Sequence, residues 1–347
     1  MASPEALTIP AARVDAYLRE TLDGYRKQWA VVDPLLGDTV DLLSTLVLAG
    51  GKRVRPAMAY WGFIGAGGDP NDPAIIDIGA ALELLQAFAL FHDDVMDGSP
   101  TRRGAPTAHI AAQDEHVANG WSGEPRRYGE SVAILAGDVS LVLSDVLLAD
   151  VSPEVRRLWN ELRIEVNLGQ FLDVVGTVRG DVELATAERI VEYKTARYTI
   201  VRPLQMGAVA AGGTNLEASL GDFGTPLGVA FQLRDDLLGV FGETAVTGKP
   251  VGDDLRERKP TPLLARARAA ADVPQRELLD AIGPEMTDAQ IEAVQSVLVD
   301  TGAVASIETQ IEELTTVALR TIETTPLEGG ASEQLAEIAT FLASRNA

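Results

Sequence analysis

Apolar residues recur at intervals of three and four along most of the chain, as in VDAYLRETL, DTVDLLSTLVL and LLQAFALF. That period belongs to α-helices with one buried face, whereas strands would alternate every second residue. Alternating runs of β-branched residues are scarce, and alanine and leucine abound. Breaker-rich stretches at GGDPNDP (67–73), GWSGEP (120–125) and AGGTN (211–215) separate the helical segments. The pattern predicts an all-α protein of ten or more helices in a single domain over 1–347, with no fixed-period repeat and no long linker. Two segments, IIDIGAALELLQAFALFHDD and FGTPLGVAFQLRDDLLGVF, are apolar nearly all round and are expected in the middle of a helical bundle. Residues 113–129 are expected to form a loop-rich connection, and the chain beyond about residue 265 to form ordinary amphipathic helices.

Composition narrows the function. The 347 residues are 46% hydrophobic, enough for a large core. No purely apolar run reaches the ~18 residues of a membrane span, and the N-terminus lacks a basic stretch followed by an apolar one. No membrane span and a cytoplasmic location are therefore expected. There is no cysteine, which removes disulfides, thiolate metal sites and cysteine nucleophiles. With 29 basic against 51 acidic residues the net charge is −22, so nucleic acid is not an expected partner. An anionic ligand would need a local basic cluster set against the overall field.

The candidate chemistry sits where the two apolar segments end. Asp93, Asp94 and Asp97 close the first, in HDDVMDGSPTRRG. Separations of three and four residues place them on one helix face. A helix C-terminus carries the negative end of the macrodipole, so three carboxylates there are costly unless a cation joins them. Oxygen donors without His or Cys suit Mg²⁺. A solvated acidic helix end is the plainer reading of a single Asp pair, but the apolar run before it argues against exposure. The second segment is expected to repeat the arrangement: in FQLRDDLLGVFG, Asp235 and Asp236 close an apolar helix, with Gln232 one turn earlier. Two such helices facing each other could hold several Mg²⁺ between them.

Basic residues stand beside these acids. GGKRVRP brings Lys52, Arg53 and Arg55 to a turn; Arg102 and Arg103 follow the first acidic cluster; Lys194 and Thr195 lie in KTARYT; Lys249 and Lys259 follow the second cluster. Each alone reads as a surface charge. With the aspartates they suggest two diphosphate-like anions, one held through Mg²⁺ and the other by arginine and lysine. No GxxxxGK[ST] is present, so this is not a P-loop site.

In this order, GGKRVRP, HDDVMDGSPTRRG, KTA, FQLRDDLLGVFG and the following GK…K resemble the trans-isoprenyl diphosphate synthases, most closely those making geranylgeranyl diphosphate, over about residues 45–265. The resemblance implies a helical bundle around a deep apolar cavity, a homodimer, and Mg²⁺ as cofactor, three ions per site with Mn²⁺ able to substitute. It implies chain elongation: isopentenyl diphosphate attacks an allylic carbocation left by an allylic diphosphate. Asp93, Asp94, Asp97, Asp235 and Asp236 would hold metal. Arg102, Lys194 and Lys259 would contact the allylic diphosphate, assisted by Thr195, Gln232 and Lys249. Lys52, Arg55, Gln86 and Arg103 would hold isopentenyl diphosphate. Phe88 with Ala89, five and four residues before Asp93, would set a C20 product, farnesyl (C15) or longer products being the alternatives. The second acidic motif departs from the family pattern, with Gly239 where a third aspartate is usual. A class I terpene cyclase and a non-catalytic partner subunit are the competing classes. The first would not need the second, metal-free anion site, and the second would be expected to lose more of the motif residues.

Overall fold

The computed structural model describes residues 3–102, 104–180, 183–242 and 251–344. These are almost wholly helical, as expected. In chain order the elements are α1 Glu5–Ala30, α2 Pro34–Leu48, α3 Val54–Gly65 and α4 Pro73–Asp97, then a hairpin of β1 Thr101–Arg102 and β2 Ala105–Pro106. They continue with α5 Ala108–Ala118, α6 Pro125–Leu147, α7 Pro153–Arg179, α8 Leu184–Ile190, a π-helix Val191–Val201, α9 Arg202–Ala210 and, after one 3₁₀ turn, α10 Glu217–Phe241. The rest is α11 Asp253–Arg256, α12 Pro262–Ala270, α13 Val273–Asp280, α14 Asp288–Asp300, α15 Ala303–Thr324 and α16 Ala331–Ala343.

The two all-apolar segments are the two central helices. α4 is packed by α1, α2, α3, α6 and α9, and α10 by the π-helix, α9, α15 and α16. α4 starts where the Asp72 side chain accepts a hydrogen bond from the Ala74 N–H, 2.9 Å, with Pro73 at its first position. It stops at Gly98, whose left-handed φ of 64° returns its N–H to the Asp94 carbonyl. The helix thus ends on its acids. Among the described residues α4 alone is long and apolar enough to cross a membrane, but about two-thirds of that window is buried inside the bundle. It is the core helix its pattern predicted.

The expected loop at 113–129 is mostly helix instead. AHIAAQDEHVA folds as α5, burying His109, Ala112 and His116, and α6 already begins at Pro125. The mixed polar composition hid a three-to-four spacing of buried residues. The remaining short connection is held by His116, whose ring sits against Trp121 and Tyr128 with centroids 6.0 and 5.4 Å away.

One local device positions the site. The π-helix is pressed between two glycines. A Cβ on Gly169 of α7 would lie 2.6 Å from the Lys194 nitrogen, and one on Gly228 of α10 would lie 2.5 Å from the Ala196 Cα. Only bare backbone allows both helices to approach so closely. Lys194, Thr195 and Tyr198 therefore project between α4, α7 and α10 from a wide-turn segment of a kind that recurs at functional sites.

Candidate active site

The hairpin after α4 folds Arg102 back over the helix end. Its Nε lies 2.7 Å and its second terminal nitrogen 2.6 Å from Asp94 Oδ1. Asp94 is buried and held by this arginine, whereas Asp93 faces the cavity. There Asp93 Oδ1 accepts from Gln170 Nε2 at 2.9 Å and from Lys194 Nζ at 3.3 Å. Lys194 also reaches Asp173 Oδ2 at 2.5 Å. Burial works against ionising Asp93, but Lys194, Lys259 and Arg102 outweigh it and keep the carboxyl below its ordinary range. Burial likewise opposes charge on Lys194, yet Asp93 and Asp173 hold its ammonium above the usual value.

The end of α10 faces the same space. Thr195 Oγ1 donates to Gln232 Oε1 at 2.6 Å, and Gln232 Nε2 donates to Asp236 Oδ1 at 2.7 Å. One chain of hydrogen bonds so links the π-helix to the second acidic motif. A cavity of about 180 Å³ is lined by Asp93, Asp173, Lys194, Thr195, Gln232, Asp236 and Lys259. The two acidic motifs and two lysines thus meet in one place. Lys259 Nζ is held 2.9 Å from both Asp254 and Glu257. The Asp254 carboxylate lies against Gly239, in the space that any side chain at 239 would enter. A carboxylate from α11 fills the third position that the second motif lacks.

A second cavity of about 170 Å³ shares Asp93, Lys194 and Thr195 with the first and is otherwise lined by Arg55, Gln86, Phe88, Ala89, His92 and mainly apolar groups. Arg55 stacks on the Tyr198 ring, 4.2 Å from its centroid, and donates to Thr199 Oγ1 at 2.9 Å. Its Nε is buried with no hydrogen-bond partner, a donor left for an anion. Gln86 accepts from the Tyr198 hydroxyl at 2.9 Å. Lys52 is half-buried beside Arg53. Arg103 and Lys249 lie outside the described residues.

Gln170, Asp173, Tyr198, Asp254 and Glu257 were not singled out from the sequence. Gln170 and Asp173 had a signal, being three apart in an otherwise apolar stretch (GQFLDVVG). Asp254 and Glu257 in GDDLRERK look like ordinary solvated charge.

The donor set suits Mg²⁺. Asp236 Oδ2 is buried with no hydrogen-bond partner, and the acids facing it are crowded. Burial, with Asp254 nearby, pushes Asp235 up to about 7. Burial pushes Asp236 to about 8. Asp97, exposed at the rim, is raised to about 7 by desolvation at the crowded helix end and by Asp93. Among the described residues no three carboxylates are already gathered closely enough to hold a metal by themselves.

These shifts have a consequence for stability. A carboxyl whose pKa is raised on folding stabilises the protein fully below its unfolded value near about 4. That contribution is lost as pH rises through about 7 to 8 for Asp235, Asp236 and Asp97. Asp93, shifted down, acts oppositely, losing its contribution only at acid pH. Metal-free protein is therefore expected to melt at a higher temperature at pH 6 than at pH 8.5. The stabilisation added by Mg²⁺ should be larger at pH 8.5, where protons no longer compete. Calorimetric melts at the two pH values check this; a pH-independent Mg²⁺ shift would contradict it.

Two acid-bearing helices face lysines and an arginine around two adjoining cavities, one polar and one largely apolar, that share Asp93, Lys194 and Thr195. The chain belongs to the polyprenyl synthetase family, whose model matches residues 39–299, and it is accordingly a prenyltransferase. It is 35% identical to a geranylfarnesyl diphosphate synthase of Aeropyrum pernix over 76% of this chain and 80% of that protein. It is also 35% identical to a geranylgeranyl diphosphate synthase of Mycobacterium tuberculosis, over 73% of this chain and 67% of that one. A crystal structure of geranylgeranyl pyrophosphate synthase from Corynebacterium glutamicum, complexed with isoprenyl diphosphate and magnesium, superposes with a TM-score of 0.93 at 38% identity. It covers 99% of this chain and 100% of its own.

Proposed function

We propose that the protein is a Mg²⁺-dependent, cytoplasmic homodimer that condenses isopentenyl diphosphate with allylic diphosphates and releases geranylgeranyl diphosphate. The observation that carries this reading is the meeting of Asp93, Asp236, Lys194 and Lys259 around one cavity that shares Asp93, Lys194 and Thr195 with a second, largely apolar one bearing Arg55. The Corynebacterium structure, named for the C20 product and for magnesium, supports it.

Bound Mg²⁺, up to three ions among Asp93, Asp97, Asp235 and Asp236, would neutralise charge on the leaving diphosphate. The chain's own groups do the rest. Asp173 and Asp93 hold the Lys194 ammonium, and Asp254 and Glu257 hold that of Lys259, so both are oriented before any anion arrives. Arg102 completes that side. An anion between them receives charge-assisted hydrogen bonds that strengthen as the C–O bond breaks. Arg55, propped on Tyr198, offers its unpaired Nε to the diphosphate of isopentenyl diphosphate, with Lys52 and Gln86 beside it. The double bond of that substrate attacks the allylic cation, and the proton goes to the released diphosphate. Phe88, Ala89, Leu90 and Val166 keep water from the cation.

A second chain has a surface to meet. α6 exposes Leu135, Val142 and Val146, and α7 exposes Leu168, Phe171 and Val178, spaced by whole turns. These support a homodimer. Phe88 at the wall of the apolar cavity supports C20 as the end point. Incubation of the purified protein with Mg²⁺, isopentenyl diphosphate and C5, C10 or C15 primers should give geranylgeranyl diphosphate by mass spectrometry. Phe88→Ser should move the product to longer chains. The same preparation should scatter light as twice the 36.9 kDa chain. No condensation by folded protein would overturn the activity, an unchanged Phe88→Ser product would move the cavity floor elsewhere, and monomer mass would remove the dimer.

A further inference from the structure

We propose that His92 helps set the product length by holding the Phe88 ring in the orientation that closes the cavity floor. The inference rests on the reading that this apolar cavity receives the growing chain. Phe88 and His92 are one turn apart on α4, so they share a face, and both line the cavity of about 170 Å³. Helical side chains lean toward the N-terminus, which brings the imidazole down onto the phenyl ring. Their centroids are 4.6 Å apart with planes inclined by 55°. Among the described residues Phe88 has no other aromatic contact, and it is only partly buried against its core cluster.

The imidazole is fixed from the far side. Its Nε2 lies 3.2 Å from the Ile134 carbonyl oxygen and 3.5 Å from an Asp138 carboxylate oxygen, both on α6. The carbonyl can only accept, so Nε2 carries the hydrogen. Between those residues Gly137 leaves a notch: a Cβ there would lie 2.5 Å from both Cδ2 and Nε2 of the ring. His92 therefore bridges a bare stretch of α6 to Phe88. Without it, the phenyl group loses the contact that holds its rotamer, so the ring can turn edge-on about χ2 or move to another χ1 well, out of the path of a longer chain. His92 is a positioning residue acting through Phe88, not a group that touches the reacting atoms.

The test compares product distributions of His92→Ala, His92→Gln, Gly137→Ala, Phe88→Ser and the double variant His92→Ala/Phe88→Ser. Folding is checked by circular dichroism, and substrates are supplied with Mg²⁺. His92→Ala should raise the fraction of products beyond C20 several-fold. Gly137→Ala, which displaces the imidazole from α6, should do the same should His92→Ala fail to fold. His92→Gln keeps a planar donor within reach of Ile134 and should restore C20. The double variant should match Phe88→Ser alone, because no ring remains to be held. A slower His92→Ala with unchanged products, while Phe88→Ser lengthens them, overturns the role of His92 and leaves the cavity reading standing. Lengthening that adds in the double variant overturns it equally. If Phe88→Ser leaves the product at C20, the cavity reading fails and this proposal falls with it.

Discussion

Asp93→Ala is expected to lower turnover by a factor on the order of 10²–10³, the usual cost of removing one preorganised charge-stabilising contact, with the helical fold kept. Asp93 is where the site's strands of interaction cross. It accepts from Gln170 and Lys194 and lies 3.9 Å from Arg102. It also lines both cavities, one shared with Asp236 and Lys259 and the other with Arg55 and Phe88. Its removal takes away a metal-directed oxygen and the partner that orients Lys194 toward the leaving group. The lysine then leans wholly on Asp173. Lys194 keeps Asp173, so the fold should hold, with a modest drop in melting temperature from losing a carboxylate that Lys194, Lys259 and Arg102 stabilise. Steady-state condensation rates at saturating Mg²⁺, with far-ultraviolet circular dichroism as the folding control, decide the matter. Near-normal turnover would remove Asp93 from the metal site.

Arg53→Ala should act on stability instead, costing about 3–5 kcal/mol, the range for breaking a buried ion pair by deleting one partner. The three cations of GGKRVRP look alike in sequence, but their environments differ. Arg53 is buried, pairing with Asp15 at 2.7 Å, with Glu83 of α4, and donating to the Val47 carbonyl at 2.6 Å. It adopts a left-handed φ of 49° to do so. It ties α1, the end of α2 and the middle of α4 together within the turn that presents Lys52 and Arg55. Alanine leaves Glu83, 6% exposed, as a buried unpaired charge. Urea denaturation of the two proteins measures the difference. A loss below about 1 kcal/mol, the range of an exposed pair, would show that the triad is not the clamp its burial indicates. Arg53→Met, which keeps much of the apolar stem, should lose activity less than Asp93→Ala does, because Arg53 reaches neither cavity.

Much of this protein was legible in its sequence because the signals are local. The three-to-four period fixed the helical class, and the all-round apolar character of 75–94 and 223–241 identified the two central helices. Asp93, Asp94 and Asp97, three and four apart at the end of the first helix, and the Asp235–Asp236 pair late in the second marked the site, since the negative helix end and the apolar runs before them disfavour such charge without a cation. The stretch 113–129 was misread as a loop because its first part continues α5, a helix whose buried face is carried by His109, Ala112 and His116, not by strongly apolar residues.

What only the tertiary structure decided is pairing across long separations. Lys194 meets Asp93 over 101 residues of chain, and Arg55 meets Thr199 over 144. The sequence could not say that Asp94 is spent on Arg102 while Asp93 faces the cavity, that Arg53 turns inward while Arg55 turns out, or that Asp254 fills the place left by Gly239. Periodicity and helix-end chemistry are properties of neighbouring residues, and so the sequence carries them. The partner of a buried charge is set by which helix backbones approach closely enough, here at Gly169 and Gly228, and that is settled only when the helices pack.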